Sequence, residues 1–107
     1  MLKKDFIELY KKMEEKEHEI MWTKGKEYTQ SDQETDMFAN FHRTAKDLGL
    51  DPKQVCWIFL RKHLDSIVSY IKDGKEHSDE KIEGRITDAR NYLAILNGII
   101  QEQKKEK

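Results

Sequence analysis

The stretch Asp51-Pro-Lys-Gln-Val-Cys-Trp-Ile-Phe-Leu-Arg-Lys-His-Leu-Asp-Ser-Ile-Val-Ser-Tyr-Ile-Lys-Asp-Gly74 decides the fold class. An acid followed at once by proline marks a helix start. The carboxylate can accept from a backbone N–H of the first turn, and proline fits the first helical position, where its missing N–H costs nothing. Trp57, Leu60, Leu64, Ile67, Val68 and Ile71 then recur at intervals of three and four, so one face of a helix over residues 52–72 is apolar. Asp73-Gly74 closes it.

The same period runs outward in both directions. Leu2, Phe6, Leu9, Tyr10, Met13, Ile20 and Met21 give a stripe for a helix over 3–24, with Gly25 as its stop. Residues 25–33 are polar and read as a loop, long enough for a functional role. Met37, Phe38, Phe41, Ala45 and Leu48 define a helix over 34–48 that Gly49 ends. Ser78 or Asp79 caps a last helix over 79–101, whose stripe is Ile82, Ile86, Ala89, Leu93, Leu96 and Ile100, widened by Tyr92, Ile95 and Ile99. That width calls for contact on two sides. The tail 102–107 is polar. No segment alternates as a half-buried strand does. The expectation is one all-α domain over 1–107: an antiparallel bundle of four main helices that gains further burial by forming a homo-oligomer.

Composition narrows the function classes. Twenty basic and 21 acidic residues leave a net charge of −1, which is not the basic excess of a dedicated nucleic-acid binder. One cysteine, Cys56, excludes an intrachain disulfide. No apolar run approaches a membrane span or a signal core, so a cytoplasmic protein is expected. The four histidines have no zinc spacing, and neither a P-loop nor a nucleophile elbow is present.

Charged residues that interrupt the apolar stripes carry the functional information. Glu17 falls at the centre of the first helix's apolar face with Glu14 one turn before it. Acids in such places are paired, bind metal, or reach solvent at a rim. On the last helix, Arg85 lies inside the apolar arc and Asp88 at its edge, spaced to pair on one face. Glu80, Gly84 and Asp88 follow at i, i+4 and i+8. Gly84 leaves room either for close helix packing or for a ligand near the backbone. His63 points inward, the usual place of a hydrogen-bonded core histidine.

These residues form an ordered series: Lys24-Gly-Lys-Glu-Tyr28, Phe38-Ala-Asn-Phe41, Lys62-His63-x-Asp65, and Glu80-x-x-x-Gly84-Arg85-x-x-Asp88-x-x-Asn91-Tyr92. Over roughly residues 20 to 100 the chain resembles the nucleotide modification associated helical proteins of phages and bacteria, near the MazG-like and dimeric dUTPase all-α nucleotide pyrophosphohydrolases. The resemblance implies an oligomeric helical protein with acids from neighbouring helices around a nucleoside triphosphate. In those enzymes the acids hold Mg²⁺, which shields the phosphates and helps generate a water nucleophile. Carried over, it makes Glu14, Glu17, Glu80 and Asp88 the metal ligands, with Glu17 and Asp88 catalytic. Tyr28, Asn40, Lys62, Arg85 and Asn91 become nucleotide contacts. Two departures stand out. The Glu-Glu-x-x-Glu pattern of the catalytic branch meets His18 where its third acid belongs, and Gly84 stands where relatives often carry an acid.

Three readings follow. The first is a Mg²⁺-dependent nucleoside triphosphate pyrophosphohydrolase. The second is a non-catalytic nucleotide binder, either accessory or signal-sequestering. The third is an oligomeric interaction module whose polar motifs are structural.

Overall fold

The computed structural model describes residues 1–29 and 36–106; side chains are described outside residues 23–35. Four helices follow in order: α1 (Lys3–Thr29), α2 (Ala39–Leu48), α3 (Pro52–Asp73) and α4 (Ile82–Lys105). Among the described residues all regular structure is helical. None of the helices is long and apolar enough to cross a membrane. The chain divides into two compact units, Met1–Thr35 and Asp36–Lys107.

The first unit is essentially α1. Its backbone continues through Gly25, which was expected to end it, as far as Thr29. An interior glycine costs a helix only about 1 kcal/mol, and the flanking Lys24, Lys26 and Glu27 are good helix formers. Met13, Glu14, Glu17, Ile20 and Met21 form the less exposed face of α1, whereas Phe6 and Tyr10 are open. Of the expected loop over 25–33, residues 25–29 are helical and 30–33 lie outside the described residues; the second helix, expected from 34, begins at Ala39, since residues 36–38 form a turn before it.

The second unit is built on α3. Asp51 accepts from the Lys53 N–H at 2.8 Å, and Gln54 returns a side-chain oxygen to the Asp51 N–H at 2.9 Å, completing a capping box in front of Pro52. Gly49 ends α2 in the left-handed region at φ 69°, and the Leu50 N–H reaches back to the Ala45 carbonyl at 2.8 Å. A β-carbon would be strained at that φ, so glycine is the residue that lets α2 turn into α3.

Helices α3 and α4 pack antiparallel. Gln103 donates to Asp51 across 3.0 Å at one end, the Cys56 thiol faces the Tyr92 carbonyl at 3.4 Å, and His63 meets Asp88 further along. The core beneath consists of Ala45, Val55, Cys56, Leu60, Ala89 and Ile99. The Phe41 ring of α2 packs at 85° against Phe59 of α3, and His42 bonds Glu102 at 2.7 Å, which holds α2 to both partners.

Two further expectations need correction. The last helix begins at Ile82, not at 79. Ser78 accepts from the Glu80 N–H instead of capping the helix, and Glu76 reaches the Ile82 N–H at 3.5 Å. Both helix faces are also rotated from the apolar stripes. Leu93, Ile71, Val68 and Trp57 are about half exposed or more, whereas Arg85, Asp88 and Tyr92 look toward α3.

Candidate functional site

The polar residues that broke the α4 stripe converge on one side chain of α3. Arg85 Nη1 lies 3.4 Å from His63 Nδ1 and 3.4 Å from Glu80 Oε2. Asp88 Oδ2 is 3.9 Å from the same His63 nitrogen. The imidazole stacks on Tyr92 with ring centroids 5.4 Å apart. Arg85 and His63 keep only 14% and 12% of their side-chain surface, so these charges act in a poorly hydrated seam.

The arrangement constrains His63. A guanidinium can only donate, so the Arg85 contact calls for the tautomer in which Nδ1 accepts and Nε2 carries the proton, whereas Asp88 would favour a proton on Nδ1. Burial is the leading cause that holds the imidazole below its usual range; Asp88 and Glu80 oppose it, Arg85 and Lys62 reinforce it. The Tyr92 hydroxyl is pushed up by burial first, and further by Asp88 and Cys56.

A cleft of about 130 Å³ opens beside Arg85, between α3, the start of α4 and the loop 74–81. It has room for several water-sized groups. Ser69, Tyr70, Lys75 and Ser78 line it with hydroxyl and ammonium donors, together with the ring of His77. The acids on its wall are already engaged: Glu80 with Arg85, and Glu76 with the Ile82 N–H. Lys75 has no ion-pair partner among the described residues. Asp73 orients the loop by accepting from the Lys75 N–H at 2.8 Å and pairing with His77 at 2.7 Å. Those two contacts, the backbone one first, depress its carboxyl.

The sequence-derived site residues divide accordingly. Glu80, Arg85 and Asp88 come together. Lys62 is exposed one residue before His63, and Asn91 is half-buried about 100° round α4 from Tyr92. Asn40 is exposed on α2 and accepts from Arg43 at 2.8 Å. Glu14 and Glu17 lie on the half-buried face of α1, in the other unit. The Tyr28 side chain falls outside the described residues. His63, read as an inward, hydrogen-bonded histidine, is largely buried and bonded as expected, and it is also the node of the cluster. The cleft donors were missed, because Ser69 and Lys75 read as ordinary helix-surface and loop residues and Ser78 as a helix cap.

The fit of Mg²⁺ can be judged from these atoms. Donor atoms of His63, Glu80 and Asp88 all fall within 4.8 Å of one another. Mg²⁺ prefers an octahedron of oxygens, and here one donor is imidazole nitrogen. The Arg85 guanidinium also lies against both His63 and Glu80, where it supplies the positive charge a metal would bring. As arranged, the cluster does not suit a resident Mg²⁺.

No protein-family model, curated protein or solved structure matches the chain. The chemistry of the site therefore has to come from its own atoms.

Proposed function

We propose that the chain binds a nucleotide through its phosphate groups, which occupy the cleft beside Arg85. The observation that carries this reading is the set of uncommitted donors on the cleft wall: the Lys75 ammonium and the hydroxyls of Ser69, Tyr70 and Ser78. Arginine adds a planar fork suited to phosphate oxygens. The start of α4, whose N-cap residue Lys81 makes no side-chain cap, adds the positive end of a helix that Glu76 meets only at the Ile82 N–H. The cleft takes phosphates but is too small for a whole nucleotide, so base and sugar lie outside it. Mg²⁺ belongs to this reading as an ion carried by the phosphates. Binding is favoured over hydrolysis because Arg85 neutralises Glu80, one of the acids a pyrophosphohydrolase would use.

Calorimetric titration with pyrophosphate and nucleoside triphosphates, with and without Mg²⁺, tests this. Binding that weakens about tenfold or more in both Lys75→Met and Arg85→Met is expected. Affinity indifferent to both substitutions would remove the cleft from consideration. Pyrophosphate released from a triphosphate in the same samples would move the reading to the hydrolase.

The reading includes self-association. Leu48, Trp57, Ile58, Val68 and Ile71 remain open to solvent and offer apolar surface to a second copy. Sedimentation over a range of concentrations measures it directly.

A further inference from the structure

We propose a base-stacking subsite on the exposed part of the Phe59 ring, continuous with the phosphate cleft. The inference rests on the nucleotide reading above and names where the rest of that ligand lies. Phe59 is 46% exposed. It is nevertheless held in a defined pose: it stacks on Tyr92 with centroids 6.2 Å apart and planes 12° off parallel, and the Phe41 ring lies at 85° to it with centroids 6.2 Å apart. Tyr92 in turn stacks on His63, whose Nδ1 faces Arg85. A row of near-parallel rings thus leads from the cleft-side arginine to a ring with about half of its surface open to solvent.

Position along the helix agrees. Phe59 and the cleft residue Ser66 are seven residues apart on α3, two turns, so they share one side of the helix at a separation of about 10 Å. An aromatic base on Phe59 would have its phosphates directed along the seam toward Arg85 and Lys75, past Asp88. A ring already fixed by two neighbours loses little freedom when a base stacks on it, which favours binding. Stacking also tolerates any base, so this subsite recognises a nucleotide as a class and does not select among bases.

The test compares wild type, Phe59→Ala and Phe59→Trp, each titrated with pyrophosphate and with the ribo- and deoxyribonucleoside triphosphates. Phe59→Ala is expected to weaken every nucleotide about tenfold, the scale of one lost stacking ring, and to leave pyrophosphate unchanged. Phe59→Trp should restore the affinity. In wild type the base protons should shift upfield on binding, and this ring-current shift should vanish in Phe59→Ala. Nucleotide affinity unchanged by Phe59→Ala would overturn the subsite. Failure of pyrophosphate to bind wild type would overturn the cleft instead; upfield-shifted nucleoside protons would then still support the ring platform. If Phe59→Ala lowered the sedimentation coefficient with nucleotide affinity intact, the Phe59 face would be an interface between copies and the subsite would fall.

Discussion

Phe38 rests its ring on the backbone of Gly98: a β-carbon at Gly98 would fall 2.5 Å from Phe38 Cζ and 3.2 Å from Cε2. Phe38 precedes α2 and Gly98 lies well inside α4, so this contact settles how the start of α2 approaches α4. Helix propensity alone would make Gly98→Ala stabilising by about 1 kcal/mol. The overlap should reverse the sign, because the ring must tilt or α2 must shift, at a cost of about 1–3 kcal/mol. A lower thermal midpoint for Gly98→Ala, recovered when Phe38 is also cut to alanine, is the expected result. A higher midpoint in the single variant would mean that the ring moves aside freely.

Asp51 serves two elements at once. It caps α3 and accepts from Gln103 near the end of α4. Asp51→Ala should cost about 1–2 kcal/mol, toward the upper end for a cap because the Gln103 contact goes with it. Gln103 first, then the Lys53 N–H, depress the carboxyl in the folded chain. Its stabilisation is therefore present above the unfolded value of about 3.9 and is lost as pH falls through the folded value. Asp51→Asn keeps a good cap and should flatten that acid limb. Denaturant midpoints between neutral pH and strong acid would reveal an unchanged limb if the assignment were wrong.

What could be read from the sequence was what the chain decides locally. Asp51-Pro52, Gly49 and Gly74 mark helix ends through contacts within a few residues, and each functions there as expected. The rotation of α4 was not legible. A hydrophobic projection centres on Ile82 and Leu93, yet Leu93 is 51% exposed and Ile99 fully buried. The face toward α3 is set by Arg85, Asp88 and Tyr92, polar groups whose partners on α3 lie 22 or more residues away and leave no local signal. The start of α4 moved for a similar reason: Glu76 reaches the Ile82 N–H from six residues back, a contact no capping pattern at Ser78 or Asp79 encodes.

His63 should give the fold a pH dependence near neutrality. Asp88, Glu80, Arg85 and Lys62 are the charged groups around it, and burial is the dominant influence, holding the folded-state ring below its usual value. The unfolded chain then takes up the proton first. Stability is full above about pH 6.5 and declines as pH drops below it, until the folded value is passed. Protonation would also set Nδ1–H against Arg85 and turn it toward Asp88. Unfolding midpoints from pH 7.5 to 5 should therefore fall more steeply in wild type than in His63→Gln. Parallel curves would show that His63 does not carry the dependence.

Gly84 separates a structural glycine from one that a ligand requires. A β-carbon there would meet only Glu80 Cγ and Oε1, both at an ordinary 3.6 Å. No neighbouring helix needs the space, so close packing does not account for the residue. Gly84→Ala should raise stability by about 0.5 kcal/mol, at the low end for such a change because Gly84 is only the third residue of α4. The cleft wall is formed by Ile82 and Arg85 on this helix and not by Gly84, so pyrophosphate affinity should stay within about twofold. A tenfold loss in a variant that folds more stably could not come from damage to the scaffold. It would place a phosphate against the Gly84 backbone and extend the site one residue along α4, toward the Glu80 and Asp88 side chains that flank it.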